Sequence, residues 1–287
     1  MTPVIEVSDL TFTYPKAPSQ AISGMDFTVR AGEVFGFLGP SGAGKSTTQK
    51  ILTGLLAGHG GAARVWGKEP AEWKNLYYER IGVSFELPNH YLKLTGLENL
   101  EFFASLYPGP TADPMELMER VGLAEAAKTR VAKYSKGMQM RLVFIRALLH
   151  GPELLFLDEP TSGMDPSNAR IVKEMISELS AEGRTIFLTT HDMTTADQLC
   201  DRVAFVVDGK IAALDTPAEH KISRSRRTVR VTYRDGGVLS HQDFPMDGLA
   251  EDDRFRTLLA TATVEALHSQ EADLEDVFID VTGRSLR

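Results

Sequence analysis

The sequence contains little cysteine and no long apolar run. Cys200 is the single cysteine among 287 residues, so no internal disulfide can form, and we expect a reducing compartment. No stretch approaches the roughly 18 consecutive apolar residues that a membrane-spanning helix needs, and the first residues lack the basic-then-apolar pattern of a signal peptide. These absences predict a cytoplasmic protein that does not cross a bilayer itself.

Basic charge is also scarce. Lysine and arginine number 31 against 39 aspartate and glutamate, which gives a formal net charge of −8 and disfavours a nucleic-acid partner. Hydrophobic residues at 43% and charged residues at 24% are ordinary for a globular protein, and we find no repeat or low-complexity segment. The length allows one large domain and one small one.

Apolar runs alternate with amphipathic stretches along most of the chain. Residues 4–14 alternate in the manner of a half-buried strand, while the runs at 34–38, 154–157 and 185–188 predict buried strands. An amphipathic helix is predicted from about residue 167. Because strands and helices alternate, the pattern predicts an α/β fold with a parallel sheet.

Local signals mark several element ends. Thr95 and Glu98 form a capping-box pattern, and Asp113 precedes a first-turn proline. Asp208-Gly209 between two apolar runs predicts a type I′ hairpin that closes the core domain, and a separate small unit follows from about residue 222.

The strongest chemical signal is a complete match to G-x-x-x-x-G-K-[ST] between a predicted strand and a helix with apolar residues at 51, 52, 55 and 56. In such a P-loop the backbone N–H groups and the helix N-terminus surround phosphates, Lys45 reaches the β and γ oxygens, and Ser46 offers a hydroxyl to Mg²⁺. A purely structural glycine turn is the weaker alternative. The predicted ATP-binding residues of this segment are Gly39, Pro40, Ser41, Gly42, Ala43, Gly44, Lys45, Ser46 and Thr47.

Two acids follow the buried strand 154–157. Asp158 is predicted to bind Mg²⁺, and Glu159, one residue further, is predicted to be the general base that polarises the attacking water. Taken alone, the pair would be better explained as acids that solvate a strand end. Together with a P-loop, the pair favours phosphoryl transfer.

Residues 134–138, Tyr-Ser-Lys-Gly-Met, resemble the signature motif of ABC ATPases. The order of P-loop, signature, acidic strand and histidine resembles that family over roughly residues 4–218. The resemblance implies that Tyr14 stacks on adenine, that Asp165 belongs to the D-loop and that His191 contacts the γ-phosphate. It also implies that Ser135 and Gly137 bind the ATP of a second copy in a head-to-tail dimer. Plainer roles stay open: Tyr14 in strand core, His191 at a strand end and Ser135 as a helix cap.

The same resemblance implies the domain organisation and the partners. Residues 1–218 correspond to the ABC ATPase domain, with a helical subdomain inserted at about 87–150, and 222–287 form a small C-terminal domain. Residues 274–278 and 282–284 look like the C-terminal extension of ATPases that serve ABC-2-type exporters. The implied partner is a separate integral membrane permease, and the implied location of this chain is peripheral, on the cytoplasmic face of the cell membrane. Residues 88–94 are a candidate docking segment, although buried packing is an equal alternative.

Three residues depart from the family pattern. Lys136 and Met138 replace the usual glycine and glutamine of the signature, and Glu86 replaces the glutamine of the Q-loop. A carboxylate at position 86 can still ligate Mg²⁺, but it adds negative charge near the triphosphate. We expect weaker ATP binding unless the metal or Lys136 offsets this charge.

Two other functions compete with a transport ATPase. One is a soluble ABC ATPase that remodels protein or nucleic-acid complexes; the single P-loop and the lack of a long heptad segment count against its tandem and coiled-coil forms. The other is a nucleotide kinase, which would share the P-loop but not the signature, Asp158-Glu159 and His191. We therefore predict an ATPase that powers export through a separate permease.

Overall fold

The computed structural model describes residues 3–224, 228–270 and 272–284, and the chain divides into two compact units between Asp215 and Thr216. The strands are β1 Ile5–Phe12, β2 Ile22–Val29, β3 Val34–Leu38, β4 Gly60–Val65, β5 Ile81–Ser84, β6 Leu154–Asp158, β7 Thr185–Thr190, β8 Arg202–Val207, β9 Lys210–Asp215, β10 Thr228–Asp235, β11 Val238–Pro245 and β12 Thr263–Gln270. The α-helices are α1 Lys45–Leu52, α2 Pro70–Trp73, α3 Gly96–Ala104, α4 Pro114–Arg120, α5 Lys136–Arg146, α6 Pro166–Ala181, α7 Met193–Leu199, α8 Pro217–Arg224, α9 Asp253–Thr261 and α10 Leu274–Thr282. Short 3-10 helices lie at Lys74–Tyr77, Ala124–Ala126, Val131–Lys133 and Leu249–Glu251.

A six-stranded sheet forms the centre of the first unit, in the order β5-β6-β7-β3-β8-β9. Strands β5 to β8 run parallel, and β9 returns antiparallel through the predicted two-residue turn, where Asp208 and Gly209 both have positive φ. Strands β3, β6 and β7 are buried along their whole length, which explains their continuous apolar runs. The prediction of a parallel α/β sheet is confirmed.

A second, antiparallel sheet in the order β2-β1-β4 covers one face of this core. Phe27 of β2 contacts three side chains of the large sheet, with ring centroids 5.6 Å from Phe35, 5.2 Å from Phe37 and 6.1 Å from Phe187. The sequence analysis identified β1 but missed β2 and β4. It also carried the first strand too far, because β1 ends at Phe12.

The helical region between β5 and β6 follows its predicted caps. The Thr95 hydroxyl accepts from the backbone N–H of Glu98, whose carboxylate accepts from the Thr95 N–H in return, and Asp113 caps α4. Residues 87–94 contain no helix, so the first helix of this region begins at Gly96. Helix α1 also differs from the prediction, since it ends at Leu52 and leaves Leu55 exposed.

Trp66 and Trp73 surround the guanidinium of Arg80 in the first unit. The Arg80 Cζ atom lies 3.9 Å from the ring centroid of Trp66 and 5.2 Å from that of Trp73. The same guanidinium donates to both carboxylate oxygens of Glu153, just before β6. The bidentate ion pair therefore holds the starts of β5 and β6 together, and the cation–π contacts tie the start of β5 to the end of β4 and to α2.

The second unit has a three-stranded antiparallel sheet in the order β11-β10-β12. Val231 and Phe244 are buried in it, and Phe255 of α9 contacts Phe244 at 5.3 Å between ring centroids. Helix α10 buries Leu274 and Phe278 and packs against α8. The predicted domain boundaries at 218 and 222 both fall within α8, and residues 225–227, 271 and 285–287 of the predicted C-terminal domain lie outside the described residues.

Across the three described stretches of the chain, every helix is too short or too polar to span a bilayer.

Candidate active site

The glycine-rich loop 39–44 connects β3 to α1 and owes its shape to glycine at two positions. A Cβ at Gly39 would overlap the carbonyl oxygen of Val206 in the neighbouring strand β8. Gly44 has a φ of 107°, and a Cβ there would lie 2.8 Å from the Ala21 carbonyl oxygen. Any larger residue would push the loop away from its supports.

Lys45 is the first residue of α1, and its side chain turns back over the loop. The ammonium donates to the carbonyl oxygens of Gly39 at 2.6 Å and Pro40 at 3.1 Å. Burial lowers the pKa of Lys45, whereas the nearby carboxylates of Glu159, Asp158 and Glu86 act in the opposite direction. The site thus places one buried cation among three acids.

Asp158 ends β6 beside Ser46 of the loop helix. The Ser46 hydroxyl donates to Oδ1 of Asp158 at 3.4 Å, and the hydroxyl of Thr189 on β7 donates to the same oxygen. These contacts bring together two of the residues that the sequence predicted as Mg²⁺ ligands.

Glu159 follows in a left-handed backbone conformation, with φ at 48°. Its Oε2 accepts from the Thr190 hydroxyl at 3.0 Å, and its Oε1 lies 2.8 Å from Nδ1 of His191. Residues at the end of β7 therefore hold both carboxylate oxygens of Glu159 in place. The predicted base and the predicted histidine are in direct contact.

These side chains surround a cleft of about 340 Å³ at the C-terminal ends of the strands. The Tyr14 hydroxyl is 3.1 Å from the Thr47 hydroxyl, and both residues line the cleft together with Glu86 and Lys45. Tyr14 lies beyond the end of β1 and is partly exposed, so it is not strand core. The lining residues are Tyr14, Ala21, Ser41, Gly42, Gly44, Lys45, Ser46, Thr47, Glu86, Glu159 and His191.

Three predicted residues form a second cluster that does not line the cleft. Ser135 caps α5 and accepts from the Met138 N–H at 3.2 Å, while Asp165 caps α6 and accepts from the N–H groups of Ser167 and Asn168. A Cβ at Gly137 would lie 3.7 Å from the carbonyl oxygen of Gly163, which belongs to the segment 162–165 that resembles the D-loop of the family. The signature and the D-loop thus lie side by side within one chain.

The sequence analysis missed Thr189, Thr190 and Ala21. The two threonines hold Asp158 and Glu159 in place, and a Thr-Thr pair directly before His191 at the end of a buried strand was the available signal. No local pattern marks Ala21, which reaches the cleft because its carbonyl faces Gly44.

The residues at Asp158 fit a magnesium ion that is shared with a nucleotide. Among the described residues no group of three or more His, Cys, Asp or Glu is placed to hold a metal alone. A hydroxyl and a carboxylate at 3.4 Å are nevertheless the hard oxygen donors that Mg²⁺ prefers, and this ion usually completes its coordination with phosphates and water.

Comparison with known proteins agrees with this geometry. A family profile described as "ABC transporter" matches residues 22–162. The chain is 68% identical to the fluoroquinolones export ATP-binding protein of Mycobacterium tuberculosis strain H37Rv, over 99% of this chain and 95% of that protein. The chain belongs to the ATP-binding subunits of ABC transporters. More distant relatives of this family include the bacitracin transport ATP-binding protein of Bacillus licheniformis, 33% identical over 99% of this chain and 98% of that protein.

Solved structures of ABC cassettes share the fold. An ATP-binding subunit of an ABC transporter aligns with a TM-score of 0.69 at 29% identity, covering 77% of this chain and 92% of that one. A dimeric bacterial ABC transporter cassette aligns with a TM-score of 0.65 at 26% identity, covering 74% of this chain and 98% of that one. This ABC subunit is accordingly an ATPase of the P-loop type that binds ATP.

Proposed function

We propose that this ABC ATPase powers the export of a fluoroquinolone-like drug through a separate membrane permease. The observation that carries the cargo class is the match of residues 227–271 to a profile described as the C-terminal domain of fluoroquinolone efflux ABC transporters. The 68% identity to a fluoroquinolones export protein covers both units of the chain and supports the same cargo.

In the proposed hydrolysis, Glu159 is the general base. Thr190 and His191 hold its carboxylate at the end of β6, so that the carboxylate can accept a proton from water in the cleft. Lys45 and the loop amides bind the β- and γ-phosphates, Tyr14 stacks on the adenine ring, and His191 contacts the γ-phosphate.

Ser46, Asp158 and Glu86 are the proposed residues for Mg²⁺. When bound, the ion supplies positive charge that offsets the charge of the phosphate oxygens. The chain contributes a hydroxyl and a carboxylate already in contact, so little rearrangement is needed to accept the ion.

The proposed working form is a head-to-tail dimer of two copies. Ser135, Gly137 and Asp165 do not line the cleft of their own chain, so a second copy is needed to bring them to a nucleotide. In this arrangement each signature closes over the ATP of the other subunit. ATP binding would favour the closed dimer and hydrolysis would release it.

The permease is proposed to dock beside the Q-loop, at the segment 88–94. Tyr91 and Leu92 of this segment are half exposed, at 50% and 52%, and Phe102 lies against Tyr91 at 5.0 Å between centroids. The Asn99 side-chain amide accepts from the Tyr91 N–H and donates to the Tyr91 carbonyl, so the backbone that carries this apolar surface has a fixed position. An apolar patch on a fixed loop suits a helix from a membrane partner, on the cytoplasmic face of the membrane.

The first test is affinity capture from detergent-solubilised native membranes, using tagged Glu159→Gln protein with ATP and Mg²⁺. Stoichiometric recovery of a multi-span membrane protein, reduced by Leu92→Glu but not by Leu76→Glu at another exposed leucine, supports the proposal. Recovery of soluble proteins alone favours the ABC ATPase that remodels soluble complexes.

The cargo is tested by reconstituting that permease with the chain in vesicles that contain ciprofloxacin. We expect ATP-dependent drug efflux with the parent chain and none with Glu159→Gln. ATP-dependent efflux of a different compound, without efflux of ciprofloxacin, would support the proposal that the chain powers export and contradict the proposal that its cargo is a fluoroquinolone-like drug.

A further inference from the structure

The nucleotide cleft has more acidic than basic groups. Of the described residues that line the cleft, Lys45 is the one lysine or arginine, and three carboxylates lie close enough to influence its pKa: Glu159, Asp158 and Glu86. A triphosphate adds several further negative charges. The proposed Mg²⁺ offsets part of this negative charge, and a cationic side chain from outside the cleft would offset more of it.

Glu86 is the one of these three acids that is unpaired within the described residues. Asp158 and Glu159 both accept hydrogen bonds from threonines of β7, and Glu159 also contacts His191. Glu86 is exposed at the cleft wall, and among the described residues no hydrogen bond or ion pair reaches its carboxylate. Its contact with the site is the electrostatic one with Lys45.

Lys136 is a cation in an unfavourable place. It is the first residue of α5, whose first turn contains no acidic residue, so the helix dipole repels its charge. Its ammonium has no hydrogen bond or ion pair within the described parts of the chain. The stem nevertheless has a defined position over the D-loop, since a Cβ at Gly163 would lie 3.0 Å from Cδ and Cε and 3.2 Å from Nζ.

We propose that Glu86 of each subunit pairs with Lys136 of the partner subunit when the dimer closes over ATP. The inference rests on the proposed head-to-tail dimer, in which the signature of one chain covers the cleft of the other. Glu86 lines the cleft and Lys136 stands in the signature, so this closure brings the unpaired acid and the unpaired base of the same chain type together.

The twofold symmetry of the dimer makes the pairs reciprocal. Each closed site receives one cation from outside, and both cations arrive in the same step. Lys136 would thus be a positioning residue that favours closure, and it would compensate for the carboxylate that replaces the usual glutamine at position 86.

The test measures ATP-dependent dimerisation of the full-length chain in the Glu159→Gln background, by sedimentation and by fluorescence transfer between two labels. Lys136→Met is expected to weaken the dimer about tenfold when Glu86 is present, but less than about twofold when Glu86→Gln is also present. Both side chains are exposed, so the variants should fold; the melting temperature and the circular dichroism of each monomer check this.

Mixing distinguishes a pair across the interface from a contact within one chain. The Lys136→Met chain and the Glu86→Gln chain together form a heterodimer with one intact pair and one neutral site, whereas each homodimer has two unpaired charges. The heterodimer should then exceed its statistical half share. As a control, mixing the parent with the double variant should yield heterodimer below that share.

A heterodimer at the statistical share in both mixtures, together with equal effects of Lys136→Met in both backgrounds, would overturn the pair while leaving the dimer intact. Failure of the Glu159→Gln parent to dimerise with ATP and Mg²⁺ would overturn the proposed dimer, and the pair with it.

Discussion

Nδ1 of His191 lies 2.8 Å from Oε1 of Glu159, across the ends of the neighbouring strands β6 and β7. The contact orients the carboxylate of Glu159, one residue beyond the end of β6, and leaves the histidine ring half exposed at the cleft. His191 therefore contacts Glu159 through Nδ1 while the rest of its ring remains accessible from the cleft.

Glu159→Gln should keep ATP binding and lose at least about 100-fold in turnover, because the amide cannot accept the proton of the attacking water. Steady-state hydrolysis and equilibrium nucleotide binding measure the two effects separately. Glu174→Gln, at an exposed acid on α6, serves as the control and should hydrolyse ATP within about twofold of the parent. Hydrolysis near the parent rate in Glu159→Gln would refute the assigned base.

Thr190→Val should lower turnover about tenfold with little change in KM, since the carboxylate of Glu159, the proposed base, loses a positioning bond. The same hydroxyl accepts from the backbone N–H of Asp192, so a smaller loss of stability is also expected. Thr190→Ser keeps the hydroxyl and is the matched control. Equal rates for the valine and serine variants would show that the bond does not matter for catalysis.

Gly39→Ala should destabilise the first unit by about 2 kcal/mol or more and abolish ATP binding, because the new methyl group overlaps the Val206 carbonyl. Gly109→Ala introduces the same methyl group where no atom lies within 4 Å and should be close to neutral. Urea denaturation and nucleotide binding of the two variants decide the point. Similar behaviour of both would contradict the close approach of β8.

Stability should fall as the pH drops from about 6.5 toward 4, because burial lowers the pKa of His90 to about 4. In this range the unfolded chain binds a proton that the folded chain does not, which costs up to about 3 kcal/mol. The ring donates from Nε2 to the Gln139 carbonyl at 2.9 Å, and its buried Nδ1 has no hydrogen-bond partner in the part of the chain that the structure describes.

The free energy of unfolding against pH checks this, and His90→Asn should flatten the slope. Burial also lowers the pKa of His150, so part of the slope should persist in the variant. A slope equal to that of the parent would mean that His90 does not titrate as described.

Locally determined features were predictable from the sequence. The loop 39–46 needs glycine at fixed places, and the caps at Thr95 and Asp113 and the turn at Asp208-Gly209 are set by residues within a few positions. Features that depend on distant partners were not. Strand β2 pairs with β1 through two irregularities, and the one between Ser23 and Met25 inserts Gly24, which interrupts the alternation of β2.

The site follows the same division. The residues of the loop and the Asp158-Glu159 pair come from short motifs, but their supports come from β7, and the adjacency of β6 and β7 is a property of the sheet. The alternation that placed Tyr14 in a strand failed because the chain turns after Phe12. The structure brings most of the predicted residues to one cleft, but the roles in nucleotide binding, metal binding and hydrolysis that the sequence assigned to all of the site residues stay predictions.

Both tryptophans of the chain, Trp66 and Trp73, lie beside Arg80 in the first unit. Intrinsic tryptophan fluorescence therefore reports on the first of the two units, the one that contains the nucleotide cleft. Thermal unfolding followed by tryptophan fluorescence measures the ATPase unit. Unfolding of the C-terminal unit does not change this fluorescence, and it is detected by tyrosine fluorescence or circular dichroism. Comparing the two readouts on one sample separates the unfolding of the two units without cutting the chain.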